Sequence, residues 1–314
     1  MHPYIGSGPY CYANSLAMLL GPAAPPPGVI ETLTGSPFGV QLAGALPFFD
    51  PYGWDPEQGL DAAVALLGHG RERTAGGTPA QALARLRAAS AVGPVLAGPV
   101  DLGLLLYRPG TPNPGGGDHY VVVLDVQDDT VLLHDPQGHP YATLPTGAFL
   151  EAWRAKTVDY TDEPFVMRTG FVRRYEVTPH EALSRSLPRA VEWLAGQGGP
   201  TAPPGSLGGA DAVEALAGQV ARGLDAGLRD HLQFFAVKVG ARRLADAAGC
   251  LAALRLPGPA AVAAGQARIL GGLQHPLATH DDIALERELR RLAPGYERLR
   301  AALTEVLADT AGRV

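Results

Sequence analysis

Two runs constrain the fold more than any others: Asp118-His119-Tyr120-Val121-Val122-Val123-Leu124-Asp125-Val126 and Val131-Leu132-Leu133-His134-Asp135-Pro136. Both are rich in valine and leucine and are separated by the polar Gln127-Asp128-Asp129-Thr130, so they read as a β-hairpin within an antiparallel sheet. His119 opens one strand directly after a glycine-rich loop and Asp135 ends the other. Ends of neighbouring strands bring such an imidazole and carboxylate within reach of each other. One geometric condition follows from their odd numbers. They share a face only if an odd number of residues separates the paired positions or if a bulge intervenes, and a clean two- or four-residue turn would set them on opposite faces.

A hundred residues upstream, Tyr4-Ile5-Gly6-Ser7-Gly8-Pro9-Tyr10 cannot be helical and runs straight into Cys11-Tyr12-Ala13-Asn14-Ser15-Leu16-Ala17-Met18-Leu19-Leu20, which has helical spacing. Cys11 therefore falls at a helix N-terminus, where unpaired N–H groups and the positive dipole end favour a thiolate. Gly6 and Gly8 leave room for a substrate to pass the sulfur, and Gly21 is a natural stop. A buried, inert cysteine is the alternative. Cysteine-dependent acyl transfer needs a nucleophilic sulfur, an imidazole and a group orienting that imidazole, and Cys11, His119 and Asp135 are the candidates. An oxyanion would be held by the Cys11 N–H and one more donor from Tyr4, Ser7, Tyr10 or Asn14, with Tyr4 and Asn14 ranked first. Cys250, within the pattern Leu244, Ala247, Ala248, Leu251, reads as a core residue.

Between these features lie an aromatic, glycine-rich section containing Phe48 and Trp54, which could wall a substrate cleft or pack under the domain, and helical patterns at Gln58–Leu67 and Pro79–Ala89. Pro94–Tyr107 is a continuous apolar run, expected to be a buried strand kinked at Gly98-Pro99. Asp101, alone within it, is a structural anchor or a substrate contact, and Tyr107 is a further candidate contact. A turn is expected at Gly138–Tyr141, a short helix at Thr146–Arg154 and a last strand at Phe165–Tyr175. From Pro179 onward the periodicity is helical throughout, at Glu181–Leu194, Asp211–Arg229, His231–Leu254, Pro257–Leu273 and His280–Leu307. The expected fold is thus α+β, a first domain over 1–178 with an N-terminal helix packed on an antiparallel sheet, then an all-α domain over 179–314.

Composition narrows the function classes. With 46% hydrophobic and 18% charged residues the 314-residue chain has ample core, and a net charge of -6 without a long Lys/Arg block argues against a nucleic-acid partner. Two cysteines 239 positions apart do not suggest a disulfide framework, and no run of 18 apolar residues suggests a membrane span. A cytoplasmic setting fits. Asp118, His119, Asp125, His134 and His139 show no tight ligand spacing, so no metal is expected.

The order of cysteine, histidine and aspartate, helix first and sheet later, is that of the papain-like architecture. Pro9-Tyr10-Cys11, Gly93-Pro94-Val95, Val100-Asp101-Leu102, Leu106-Tyr107, Asp118 to Val123 and Val131 to Pro136, with Phe149 and Trp153 after them, together resemble the butirosin biosynthesis protein H family. Its amino-terminal domain is similar to the papain-like bacteriocin leader peptidases and is followed by a helical domain. In the helical half, Gly240-Ala241-Arg242-Arg243-Leu244 carries what resemblance there is. The resemblance implies an acyltransferase of specialised, antibiotic-type metabolism. An acyl group held as a phosphopantetheine thioester on an acyl carrier protein would pass to Cys11 and then to a small-molecule amine, with His119 as base, Asp135 as orienting acid, Asp101 near the acceptor and no further cofactor. Tyr10 stands where that family commonly has a histidine. An acidic carrier would call for a basic patch, with Arg168, Arg173 and Arg174 or Arg242 and Arg243 as candidates. The alternatives are a cysteine peptidase or amidase using the same three residues, and an inactive papain-like binding module.

Overall fold

The structure is a computed structural model describing residues 9–196, 202 and 204–311. Helices α1 (Cys11–Leu20) and α2 (Pro27–Leu33) come first, then the short strands β1 (Gln41–Ala43) and β2 (Leu46–Phe48) and helix α3 (Pro56–Leu66). Strand β3 (His69–Thr74), helix α4 (Pro79–Ser90) and strand β4 (Val95–Asp101) lead to the hairpin β5 (Asp118–Gln127) and β6 (Thr130–Asp135). Strand β7 (His139–Pro145), helix α5 (Thr146–Trp153) and strand β8 (Met167–Arg173) complete this part. Beyond it are α6 (Pro179–Leu194), a two-residue β9 (Leu207–Gly208), α7 (Gly209–Ala221), α8 (Ala226–His231) and α9 (Val237–Ala253). The last helices are α10 (Pro257–Gly272), α11 (Gln274–Thr279), α12 (Asp282–Leu292) and α13 (Pro294–Ala311). The protein is a mixed α+β chain with antiparallel sheets and a helical C-terminal region.

Described residues of Met1–Pro27 and Gly68–Glu176 form one compact unit, and those of Gly28–Leu67 and Val177–Val314 a second. This differs from a linear division at 178/179, because residues 28–67 group with the C-terminal helices. The chemistry is visible at Arg243 of α9, which is buried and donates to Glu31 Oε1 (2.8 Å), Asp50 Oδ2 (3.0 Å) and the Phe49 carbonyl (3.1 Å). A buried cation demands such partners, and all three come from the 28–67 segment. Gly240, one helical turn earlier, leaves no room for a side chain: a Cβ there would lie 2.4 Å from Phe49 Cβ. The second unit also holds the small sheet β2-β1-β9.

In the first unit six strands form one antiparallel sheet in the order β3-β8-β4-β5-β6-β7. One face packs Val95, Ala97, Val121, Val123, Val131 and Leu133 against Ala82 and Leu86 of α4 and Phe149 and Trp153 of α5. Helix α1 packs on β5: the Ser15 hydroxyl donates to the Tyr120 carbonyl (3.2 Å), and the Tyr12 and Tyr120 rings meet edge to face.

Several elements differ from the sequence expectation. The apolar run from Pro94 stops being a strand at Asp101, after a bulge between Ala97 and Val100, and turns into a 3-10 turn at Leu102–Leu104. The expected turn at Gly138–Tyr141 instead starts the edge strand β7, which its exposed Pro140 and Tyr141 disguised. Strand β3, His69-Gly70-Arg71-Glu72-Arg73-Thr74, is an edge strand too polar to be read as one. The expected long helices break at Gly223 and at Pro294, and a π-helical turn, Leu232–Ala236, precedes α9.

Candidate active site

The turn between β5 and β6 has two residues, since Gln127 pairs with Thr130. Alone, that would separate His119 and Asp135 onto opposite faces. The ladder then slips by one residue, from Asp125 opposite Leu132 to Val123 opposite Leu133, with Leu124 as the extra residue. A one-residue bulge flips every side chain beyond it, and the ring and the carboxylate end on one face. His119 Nε2 lies 2.7 Å from Asp135 Oδ1, with both side chains fully buried.

Asp135 is held by four donors. Oδ1 also accepts the Gln137 N–H (2.7 Å), while Oδ2 accepts the Tyr107 hydroxyl (3.0 Å) and Arg108 Nη1 (2.9 Å). Burial alone would push its carboxyl up, but His119, the Gln137 N–H and Arg108 outweigh it and hold the group well below the usual carboxylate range. Burial, with the negative charge of Asp135 beside it, pushes the Tyr107 phenol well up, so it stays a hydroxyl donor. An ionised carboxylate only accepts hydrogen bonds. His119 must therefore carry its proton on Nε2, which leaves Nδ1 as the basic nitrogen of the neutral ring. Nδ1 is buried and makes no hydrogen bond among the described residues.

Cys11 is the first residue of α1 and partly exposed. The residue before it, Tyr10, has left-handed backbone (φ 82°, ψ 45°) and gives no side-chain cap to the helix. A non-glycine residue in that conformation carries roughly 1–3 kcal/mol of strain, the kind that collects at functional sites. Cys11 shares a helix face with Ser15 one turn on, and Ser15 is hydrogen-bonded to the residue after His119. Through Ser15 and Tyr12, helix α1 is joined to Tyr120, next to His119 near the start of β5.

The other candidates are placed differently. Tyr4 and Ser7 lie outside the described residues. Asn14 is buried and turned back along its own helix, donating to the carbonyls of Tyr10 (2.9 Å) and Pro9 (3.3 Å), so its amide is engaged there instead of facing an oxyanion. Asp101 anchors a loop: it accepts from the N–H groups of Gly103 (2.9 Å) and Gly115 (2.9 Å) and the Thr157 hydroxyl (2.7 Å). Tyr107 serves Asp135. Trp54 is a core residue of the second unit, with its indole N–H on the Thr34 carbonyl (2.9 Å) and the Arg243 guanidinium over its ring. Phe48 packs against the rings of His231 and Phe235 in that same unit. Arg108 went unrecognised in the sequence, where it is one residue of a Gly/Pro-rich loop. The decoy histidines are explained by local contacts: His134 Nδ1 accepts the Tyr141 N–H (3.0 Å), and His139 packs on the Tyr107 ring. No group of three or more metal-ligating side chains occurs among the described residues. No helix among them is long and apolar enough to cross a membrane.

Two features class the protein: a mixed α+β architecture, and a buried histidine-aspartate pair on a bulged hairpin beside a helix that starts with cysteine. Residues 203–304 match the model of the YobF C-terminal domain family. An uncharacterized protein YobF of Bacillus subtilis (strain 168) is 32% identical over 160 residues, 50% of this chain and 52% of that protein, so the chain spans about half the length of that relative.

Proposed function

We propose that the chain is a papain-like cysteine enzyme of acyl transfer, in which Cys11 is the nucleophile, His119 the proton acceptor and donor, and Asp135 the orienting carboxylate. The observation that carries the proposal is the buried Nε2–Oδ1 bond of 2.7 Å, which leaves Nδ1 without a partner on the strand against which the Cys11 helix packs. The sulfur, as thiolate, adds to an acyl thioester carbonyl, and the thiol of the donor leaves with the proton from Nδ1. An amine then adds to the acyl-cysteine, gives its proton to Nδ1 and displaces the Cys11 sulfur. The N–H groups of the first turn of α1 point in the direction that suits the oxyanion of both steps. Tyr120, the residue after His119, is the one that meets α1, and the proposed chemistry requires the Cys11 sulfur to reach the ring around the leading end of that strand.

The resemblance to the butirosin biosynthesis protein H family supports a carrier-protein thioester as donor and a small-molecule amine as acceptor, in specialised metabolism. Docking of an acidic carrier would not use Arg168 or Arg243, which are buried. Arg242 and Arg173 each pair with an acid on their own segment, Asp246 and Glu176. The decisive assay incubates the chain with acyl thioesters, with and without amines, and reads Cys11 by mass spectrometry. An acyl adduct on Cys11 that is discharged faster by amines than by water is expected. Discharge by water alone assigns a hydrolase, and absence of any adduct with a range of thioesters and peptides assigns a binding module.

A further inference from the structure

The loop between β4 and β5, residues 102–117, is tied shut at its base. Asp101 accepts the Gly103 and Gly115 N–H groups and the Thr157 hydroxyl; the Leu102 N–H reaches the Gly117 carbonyl (2.9 Å) and the Asn113 N–H the Gly103 carbonyl (2.7 Å). Gly103 sits so close to the opposite side of the loop that a Cβ there would fall 1.7 Å from the Asn113 oxygen. From this closed loop Tyr107 and Arg108 reach Asp135 Oδ2 together, and Arg108 Nη2 also donates to Gln137 Oε1 (2.8 Å). Gln137 in turn donates its N–H to Asp135 Oδ1. The carboxylate is thus fixed in its plane from both ends. Tyr107 and Arg108 hold Oδ2 of the carboxylate whose Oδ1 holds the His119 ring.

We propose that Tyr107 and Arg108 are positioning residues of the cysteine site, acting through Asp135 to fix the His119 tautomer and to set the pH range in which Nδ1 is free to take a proton. The proposal rests on the cysteine-enzyme reading for its consequence but not for its geometry. A carboxylate next to an imidazole favours the protonated ring, and a cation on the same carboxylate opposes that by sharing its charge. Without Arg108 the ring would keep its proton to higher pH. Without either donor on Oδ2 the carboxylate could rotate and release Nε2. The titratable groups on the elements around the ring include Asp135 and His134 on β6, Tyr120 and Asp125 on β5, Tyr107 and Arg108 on the loop, and Cys11 and Tyr12 on α1. Asp118 on β5 is bonded by Tyr160, Asp101 lies on β4, and His139 on β7 lies against Tyr107.

The test uses the full chain in two backgrounds. In Cys11→Ala, nitrogen NMR of the His119 ring reads tautomer and titration directly. In the chain with Cys11 intact, the pH profile of Cys11 alkylation reads the consequence. Arg108→Gln is expected to raise the pH at which the ring loses its proton, relative to the unsubstituted chain, and to mix the two neutral tautomers. Arg108→Lys should recover most of that shift and Tyr107→Phe should give a smaller one; these two carry the test if Arg108→Gln does not fold. A folded Arg108→Gln chain with unchanged ring titration and tautomer overturns the proposal. Shifts at the ring with no change at Cys11 leave the positioning role standing and count against the cysteine-enzyme reading.

Discussion

Each unit buries carboxylates against an arginine, and the two clusters are put to different ends. Around Arg243, Glu31, Asp50 and the Phe49 carbonyl converge on one cation, and Gln41 bonds the other oxygen of Asp50 (2.7 Å). The three Arg243 contacts fasten the 31–54 segment to α9, and the Gln41 bond steadies Asp50 within that segment. Around Asp135, Arg108, Tyr107 and Gln137 converge on one carboxylate, but the cluster continues into a ring whose far nitrogen is left open. The first cluster holds parts of the second unit together. The second ends in an unused basic atom, and a buried unpaired polar atom in a well-bonded network is where function is to be sought. The two clusters share charge and burial, and the second continues into an imidazole.

Substitutions break that comparison in order of size. Cys11→Ala should abolish acyl-adduct formation completely, read by mass spectrometry, while Arg243→Leu in a folded chain should leave the adduct in place. Asp135→Asn should reduce the rate of thioester turnover roughly a thousand- to ten-thousand-fold, because an amide can present an N–H to Nε2 and reverse the tautomer. The same variant alters acid stability. The folded carboxyl lies below its ordinary value, so its contribution is fully present above the unfolded value near about 3.9 and is lost as pH falls through the lower folded value. Acid unfolding of wild type should therefore lose stability below that range, and Asp135→Asn should lose less over the same interval.

Truncating one partner of a buried ion cluster leaves the others uncompensated, so Arg243→Ala should lower unfolding free energy by about 3–5 kcal/mol in a urea titration. The pH profile of Cys11 alkylation should stay where it was. Smallest is Trp54→Phe, which leaves the Thr34 carbonyl without its donor and should cost about 1–3 kcal/mol. It should not change the Michaelis constant for acyl donors, which a substrate-wall role for Trp54 would require.

Much of the site was legible because it depends on local chemistry. The Gly/Pro stop before an apolar helix placed Cys11 at a helix start, and alternating valines placed His119 and Asp135 on one hairpin. Parity even stated in advance what the bulge at Leu124 had to do, although nothing local in Val123-Leu124-Asp125 marks it. Other features depend on partners far away in sequence and gave no local signal. Arg108 acquires a role only because its loop folds onto Asp135, 27 positions on. Asp101 and Asn14 carry the same functional groups whether they bind substrate or backbone, and only their neighbours decide. Residues 28–67 look like the start of a catalytic domain until Arg243, more than 190 positions later, supplies the charge that Asp50 and Glu31 need.

The most direct measurement is the rate of Cys11 alkylation by a small iodoacetamide from pH 5 to pH 9, in the intact chain and in His119→Ala. If sulfur and ring share a proton, the intact chain reacts fast at pH 6 and the variant slows there to the rate of a thiol held at its ordinary value near about 8.5. Identical profiles in the two chains, both rising only toward pH 8.5, would contradict the meeting of Cys11 and His119 on which the proposed function depends.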